Sequence, residues 1–263
     1  MYTSLSIIAT SIRSGIKDVR VAIPFRLFIS TTLPRLLTQI LFFALLGQFL
    51  GGKSFLLYAV VGNAVASMAG PAIAAITQDF SRALRSGTLA LLVATPTNAL
   101  LPISAWGTGQ LLMGVIQSFI GLFLLAPLLG IHLEPSALLV IPLLLLSALS
   151  LYGLGLVLAA ISLRIRASVL ASNGLIFLIY TLAGVNYPIV ALPVLVQYIG
   201  YSLPLSHALL AIRALITGND MSHVPLYLLQ ECGIGLCYWL AGLALFHWQI
   251  RSGRRQGTLD FQF

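Results

Sequence analysis

Charge is scarce in this chain. Of its 263 residues only 8% are Asp, Glu, Lys or Arg, and only 6 are acidic. Soluble domains carry about a quarter charged residues, so a soluble fold is ruled against at the outset. Cysteine is nearly absent too. Cys232 and Cys237 fall five positions apart in one apolar run, on different faces of a helix, which supports packing and neither a disulfide framework nor a metal site. The histidines His132, His207, His223 and His247 are scattered and make no metal-ligating pattern. No serine, histidine and acid are spaced for nucleophilic catalysis. A short basic region followed by a short apolar run, the mark of a cleavable signal peptide, is not evident at the N-terminus.

Apolar sequence dominates what remains. The chain is 59% hydrophobic, with a mean hydropathy of +1.02. A spanning helix takes about 20 apolar residues, and six runs qualify: Leu36–Leu50, Phe55–Ile76, Leu100–Leu129, Ala137–Ile161, Ser168–Val185 and Val224–Trp248. The third holds Pro102, Gly107, Gly109, Gly114 and Pro127, so a tilt or kink is expected. No internal repeat and no low-complexity linker interrupts the sequence. The expectation is an all-α integral membrane protein of six transmembrane helices, forming one domain over residues 1–263.

The formal net charge of +8 would suggest nucleic acid in a soluble protein. Here its distribution explains it. With both termini cytoplasmic, the inside segments hold Arg13, Lys17, Arg20, Arg26, Arg35, Arg82, Arg85, Arg164, Arg166, Arg251, Arg254 and Arg255, leaving only Lys53 and Arg213 of the 14 basic residues outside. This is the positive-inside pattern. The acids divide evenly, with Asp18, Asp79 and Asp260 inside and Glu134, Asp220 and Glu231 outside. No nucleic-acid partner is expected.

Residues 1–35 read as a cytoplasmic interfacial segment. Leu5, Ile8, Ile12, Ile16, Val19 and Ile23 recur at helical steps, and Arg13, Lys17 and Arg20 flank that face. Such a helix lies in the membrane interface with its cations toward lipid headgroups. Pro24 breaks it and Pro34 restarts the chain.

Gly47–Ser54 reads GQFLGGKS and satisfies the phosphate-loop pattern G-x-x-x-x-G-K-S. That chemistry needs a glycine-rich loop between a strand and a helix. Here the glycines end an apolar helix, Lys53 lies on the side away from cytoplasmic ATP, and no acid follows an apolar strand to hold magnesium. The pattern is set aside, and the chain itself is expected to bind no ATP.

Thr181–Gly218 is nearly as apolar as a spanning helix but carries Pro188, Pro193 and Pro204. Each proline removes a backbone donor and clashes with the preceding turn. Broken backbone at membrane depth survives only where protein or a water-lined cavity satisfies it, so this stretch, on the outer side between the fifth and sixth spans, is expected to be an interrupted segment suited to transport more than to anchoring. On the cytoplasmic side, residues 77–99 form a loop in which Gln78–Pro96 reads QDFSRALRSGTLALLVATP. Arg82 and Arg85 precede a tight turn at Gly87 and Thr88, and an amphipathic stretch then runs to Thr95 and Pro96. This is a surface on which a partner can dock. Polar residues within spans are costly and often functional; Asn63, Gln110, Gln117, Asn173, Tyr180 and Asn186 are candidates for a pathway or subunit interface, with Gln110 and Gln117 facing the same way at i, i+7.

The run Arg85-Ser86-Gly87-Thr88-Leu89, followed by Leu91-Leu92-Val93-Ala94-Thr95-Pro96, resembles the cytoplasmic loop of type-2 ABC exporter permeases, which reads E-R-G-T-L-E and then L-L-x-T-P. Gly184, Tyr187-Pro188 and Leu192-Pro193 resemble the same family's region after its fifth span. Pro204, Ser206, Ala208, Arg213 and Gly218 resemble its P-x-[TS]-x-A and A-x-R-x-L…G pattern. The chain departs from the family at the glutamates that flank Gly-Thr, having Arg85 before the pair and Ala90 after it. The resemblance implies a pair of membrane subunits, a homodimer in the simplest case. Each would dock a separate ABC ATP-binding subunit, two copies in all, through Arg82, Arg85, Gly87, Thr88, Leu89, Thr95 and Pro96. ATP and magnesium would sit on that partner. Residues 186–223 would form two short re-entrant helices in the outer leaflet, and Tyr187, Pro188, Pro193, Pro204, Ser206 and Arg213 would belong to that outer gate in a bacterial-type plasma (inner) membrane.

The pathway lacks conspicuous charges, which favours an amphipathic, hydrophobic or lipid-linked cargo over an ion. A drug or natural-product exporter is the leading expectation, and a polysaccharide or glycolipid exporter the alternative. An ion-coupled secondary transporter would show midplane ionisable groups and an inverted repeat, and an intramembrane enzyme would show convergent catalytic groups. Neither pattern is present in the sequence.

Overall fold

Backbone that crosses lipid has no water to bond, so a chain of this composition must close its hydrogen bonds within helices. The computed structural model describes residues 4–22, 24–87, 105, 107–131, 139–162, 168–218 and 221–256, and among these residues it is helical with no strand. Helix α1 (Ser4–Ala22) carries the amphipathic N-terminal pattern and packs on α4 (Thr108–Ile120). The face it buries is the small one, Ser11 and Gly15, while Ile16, Arg13 and Lys17 stay exposed.

Pro24 then caps a short turn, Phe25–Leu27, and a π turn, Phe28–Thr32, leads into α2 (Leu33–Ala66). The π turn directly precedes Pro34, whose missing N–H prevents regular i→i−4 bonding. A second π turn, Gly121–Leu125, extends α4 and precedes Pro127 in the same way.

From Phe25 to Ala83 the helical segment is 59 residues long, about 88 Å if straight and nearly three times a bilayer core. It is not straight. Gly51 (φ −150°, ψ 18°) and Gly52 (φ 72°, ψ −155°) leave helical geometry, and the two halves of α2 fold back on each other. A Cβ on Gly47 would stand 2.7 Å from the Phe55 carbonyl oxygen and 3.2 Å from the Ala59 Cβ. Gly52 supplies the positive φ that this hairpin requires. The phosphate-loop look-alike is therefore a turn between two packed helices, with Lys53 exposed at its tip.

At Ser67 and Met68 the chain turns again, with Ser67 Oγ donating to the Ala64 carbonyl at 2.7 Å, and α3 (Ala69–Arg85) follows. Helices α5 (Val140–Ser162), α6 (Ser168–Leu182) and α9 (Val224–Gln256) complete the long elements. Two short helices, α7 (Val194–Ser202) and α8 (Ser206–Thr217), lie between α6 and α9 and are bent by 84° at Leu203–Leu205.

Helices α3 and α5 form the centre. Ala72, Ile73, Ile76 and Phe80 on α3 and Leu144, Ala148, Leu151 and Leu156 on α5 are buried. Helix α9 runs along α5, with Gly153, Gly235 and Gly242 letting the two backbones approach. Phe80 and Phe246 meet edge to face at 4.8 Å. The periphery is apolar, with Phe42, Leu45, Phe49, Leu195, Leu236 and Leu240 exposed. Among the described residues four helices are long and apolar enough to cross a membrane, or five if the bent α7–α8 pair counts as one. The protein is an integral membrane protein.

Several expected boundaries shift. The second apolar run, Phe55–Ile76, is broken at Ser67–Met68, and helix continues to Arg85. Residues 77–85 of the expected cytoplasmic loop are thus the last turns of α3, held by the burial of Asp79, Phe80 and Ala83. The helix ends at the Ser86–Gly87 turn, where Gly87 has φ +70°. Thr88, Leu89, Thr95 and Pro96 lie outside the described residues. Cys232 and Cys237 face outward on α9, free and exposed, instead of packing inward.

Candidate functional site

Between Ala183 and Pro193 the backbone is mostly irregular, and side chains bond several of its carbonyls. A helix end leaves unbonded carbonyls, and a buried unpaired one costs about 1–3 kcal/mol. Helix α6 ends at Leu182. The Gly184 carbonyl, at a residue with φ +75°, accepts from Tyr58 Oη at 2.9 Å. The Val185 carbonyl accepts from Arg213 Nη2 at 3.0 Å. Tyr187 Oη donates to the Thr181 carbonyl. Further along, Gln197 Nε2 donates to Leu192 O at 2.7 Å and Val190 O at 3.2 Å.

Arg213 is the keystone of this arrangement. It sits on α8, is 9% exposed, and also donates to the Tyr58 carbonyl at 3.2 Å. Its guanidinium carbon lies 3.3 Å from the centre of the Tyr58 ring. A desolvated cation–π contact of this kind contributes about 2 kcal/mol. Gly62 makes the approach feasible, because a Cβ there would collide with the Val185 carbonyl and come within 2.8 Å of Arg213 Nη2.

A second set of bonds joins α2 to α6. Asn63 is wholly buried and donates from Nδ2 to Asn186 Oδ1 at 2.8 Å and to the Ala59 carbonyl at 2.9 Å. Tyr180 Oη donates to the Ala66 carbonyl at 3.0 Å and accepts from Gln39 Nε2 at 2.8 Å. Ala66 stands just before the Ser67–Met68 break, so Tyr180 bridges two interrupted helices. On its other side Tyr180 lines a cavity of about 520 Å³ together with Gln39, Asn173 and Phe177.

A third anchor lies at the start of α8. Glu231 is buried (0% exposed). Its Oε1 accepts from the Leu205 amide at 2.9 Å and its Oε2 from the Ala208 amide at 3.3 Å. Leu205 has φ 86°, a left-handed conformation that costs a non-glycine residue about 1–3 kcal/mol and persists only where surroundings enforce it. The Glu231 carboxylate does so, and it also caps the positive end of α8. Ser206 Oγ donates to the Gly200 carbonyl at 2.6 Å, closing α7 against α8.

The sequence-derived candidates divide accordingly. Asn63, Tyr180, Asn186, Tyr187, Ser206 and Arg213 meet in this network. Pro188 precedes a 3-10 turn, Pro193 caps α7 and Pro204 stands at the α7–α8 bend. Asn173 lines the cavity but is exposed. Gln110 and Gln117 do not line it; Gln117 is buried on α4 with its Oε1 lacking a partner. Arg82 forms an ion pair with Asp79 at 3.4 Å on the last turns of α3, and Arg85 and Gly87 close that helix.

Gln39, Tyr58 and Glu231 were not singled out from sequence. Glu231 was placed in the sixth apolar run and counted among the outer acids, with no role assigned; the structure sets it within α9, against α8. An acid inside an apolar run was the available signal. Tyr58 and Gln39 carried none, since their partners are distant in sequence.

A family model described as ABC-2 type transporter matches residues 23–217. No curated protein sequence matches the chain.

Proposed function

The chain belongs to the ABC-2 type transporter family and is a membrane permease subunit of an ABC transporter, and from that premise we propose that it exports an amphipathic, hydrophobic or lipid-linked compound, a drug or natural product being the leading class. We read residues 1–263 as one transmembrane domain with six crossings. These are the two halves of the α2 hairpin (the second continued by α3), then α4, α5, α6 and α9. The basic residues favour both termini in the cytoplasm of a bacterial-type plasma membrane.

The observation that carries the reading is the broken segment from residue 183 to α8, in which Tyr58 and Arg213 bond the Gly184 and Val185 carbonyls of the bend and Glu231 bonds the Leu205 amide at the α7–α8 corner. A simple anchor gains nothing from such a construction. A gate at the outer end of a pathway needs short elements held firmly in one state and able to move as a unit. The cavity beside Tyr180 gives cargo a place to enter on the far side of that gate.

At the cytoplasmic end, the tip of α3 and residues 77–99 dock a separate ATP-binding subunit, which carries ATP and magnesium. Two permease chains, in the simplest case identical, pair with two such subunits. Closure of the ATPases then shifts the halves and alternates access. The ion pair of Asp79 with Arg82 stiffens the end of α3, and the Gly87 turn presents the loop.

Co-purification with the ATP-binding subunit tests the coupling. Bulky replacements at Gly87 or Thr88 are expected to abolish association. Intact association and intact transport in those variants would remove the coupling role from this loop.

A further inference from the structure

The cavity between α2, α3 and α6, at about 520 Å³, falls within the roughly 300–1,000 Å³ of pockets that hold drug-sized ligands. Its chemistry is uneven. Arg35, Gln39 and Phe43 line it from α2, and their four-residue spacing puts them on one helical face. Leu36, Ile40 and Ala44 beside them go into the core. From α6, Asn173, Phe177 and Tyr180 form the facing wall. Phe177 is 72% exposed, and Arg35 and Asn173 are exposed as well, so the cavity opens to the side of the bundle.

The polar groups within it are mostly occupied. Gln39 donates to Tyr180, and Tyr180 donates to the Ala66 carbonyl. Asn173, exposed on α6, adds a neutral amide. Arg35 is the one charged residue among the described residues that line the cavity, and no ion pair forms between it and a described residue. The described acids are engaged or placed elsewhere: Asp79 with Arg82, Glu231 under α8, and Asp18 exposed on α1. Arginine is permanently charged, and its planar fork matches phosphate oxygens two at a time.

We propose that this cavity admits an amphipath from the side, its anionic phosphate-type headgroup paired with Arg35 and its apolar part held between Phe43 and Phe177. This rests on the permease reading, because it makes the cavity the cargo's point of entry. It narrows the cargo to anionic over cationic amphipaths. A lipid headgroup and the phosphate of a free amphipath present the same chemistry to Arg35.

The test uses the full chain in phosphatidylcholine nanodiscs, without any ATPase, and two fluorescent probes: a labelled dodecyl phosphate and a labelled dodecyltrimethylammonium. Anisotropy should show saturable binding of the phosphate probe, about tenfold tighter than the ammonium probe. Arg35→Gln should remove that preference, Arg35→Lys should keep part of it as a point charge, and Ile176→Trp, which fills the cavity, should weaken both probes. Substituting phosphatidylglycerol for part of the lipid separates the sources. Competition by it makes a lipid the occupant; continued binding makes a free amphipath the occupant.

Equal affinity for the two probes would overturn the proposal. So would unchanged binding in folded Arg35→Gln. Should that variant not fold, wild-type binding in Ile176→Trp has the same force. ATP-driven transport that ignores Arg35 would sink this site and leave the permease reading standing. Phosphate binding at Arg35 without any ATP-driven transport would do the reverse.

Discussion

Removal of the Glu231 carboxylate is the sharpest perturbation of the α7–α8 pair. The first amides of a helix have no partner within it, and in α8 the first intrahelical bond is Leu209 N to Leu205 O at 2.9 Å. The Leu205 and Ala208 amides therefore owe their protection to Glu231. A hydrogen bond to a charged group contributes about 1.5–3 kcal/mol, and loss of a helix cap costs about 0.5–2 kcal/mol. Against this, Glu231→Ala releases a carboxylate whose burial is itself unfavourable. A net local loss of about 2 kcal/mol is a roughly thirtyfold faster amide exchange. Glu231→Gln keeps an acceptor for one amide and turns its NH2 toward the other, so about fivefold is expected. Hydrogen exchange read by mass spectrometry on the full chain in nanodiscs resolves peptides covering 203–209. Amides of α5 serve as the control and should not change. Exchange at Leu205 and Ala208 within about twofold of wild type in Glu231→Ala would refute the carboxylate's role in holding α8.

Other perturbations follow the same geometry. Tyr58→Phe keeps the ring under Arg213 and loses the bond to Gly184 O, costing about 1 kcal/mol, while Tyr58→Leu loses both and costs about 2–3 kcal/mol; denaturation in detergent should rank them so. Gly62→Ala pushes a methyl group into the Val185 carbonyl and should lower both stability and transport, whereas Gly233→Ala meets nothing within 4 Å and should be neutral. Equal behaviour of those two variants would show that the 183–187 bend does not depend on close approach to α2. Gly52→Ala forces a side chain into the left-handed region and should cost about 1–2 kcal/mol in thermal denaturation. Lys53→Ala should leave ATP-driven transport unchanged, and a loss there would revive a phosphate-binding role for the loop.

The local grammar of the chain was legible where prolines and glycines set it. Pro24, Pro193 and Pro204 mark helix starts or bends because a residue without an N–H is cheapest there. Gly51–Gly52 was read as a helix end, and it is the hairpin turn of α2. The stretch before Gly87 reads as a short helix ending in a tight glycine turn, but its continuity with the preceding apolar helix was not evident, since Gln78, Asp79, Ser81 and Arg82 are polar. Tertiary packing of Phe80 and Ala83 overrides that polarity and carries the helix to Arg85. Polar residues within apolar runs drew attention to Asn63, Tyr180 and Asn186, and the structure joins Asn63 to Asn186 and bonds Tyr180 to the end of α2. What could not be read was pairing across the chain. Arg213 and Tyr58 are 155 positions apart, and no local period links them. Glu231 was placed within the sixth apolar run, but nothing in that run shows that its carboxylate lies beneath the start of α8.

The central claim is that the bonded α7–α8 pair gates a pathway driven by ATP on a partner. Transport of a labelled dodecyl phosphate in proteoliposomes, with and without the ATP-binding subunit, tests it most directly. The account predicts movement that requires the partner and hydrolysable ATP and that falls in Arg213→Met and Glu231→Ala. Transport driven by an ion gradient alone, with no partner present and with both variants fully active, would contradict it.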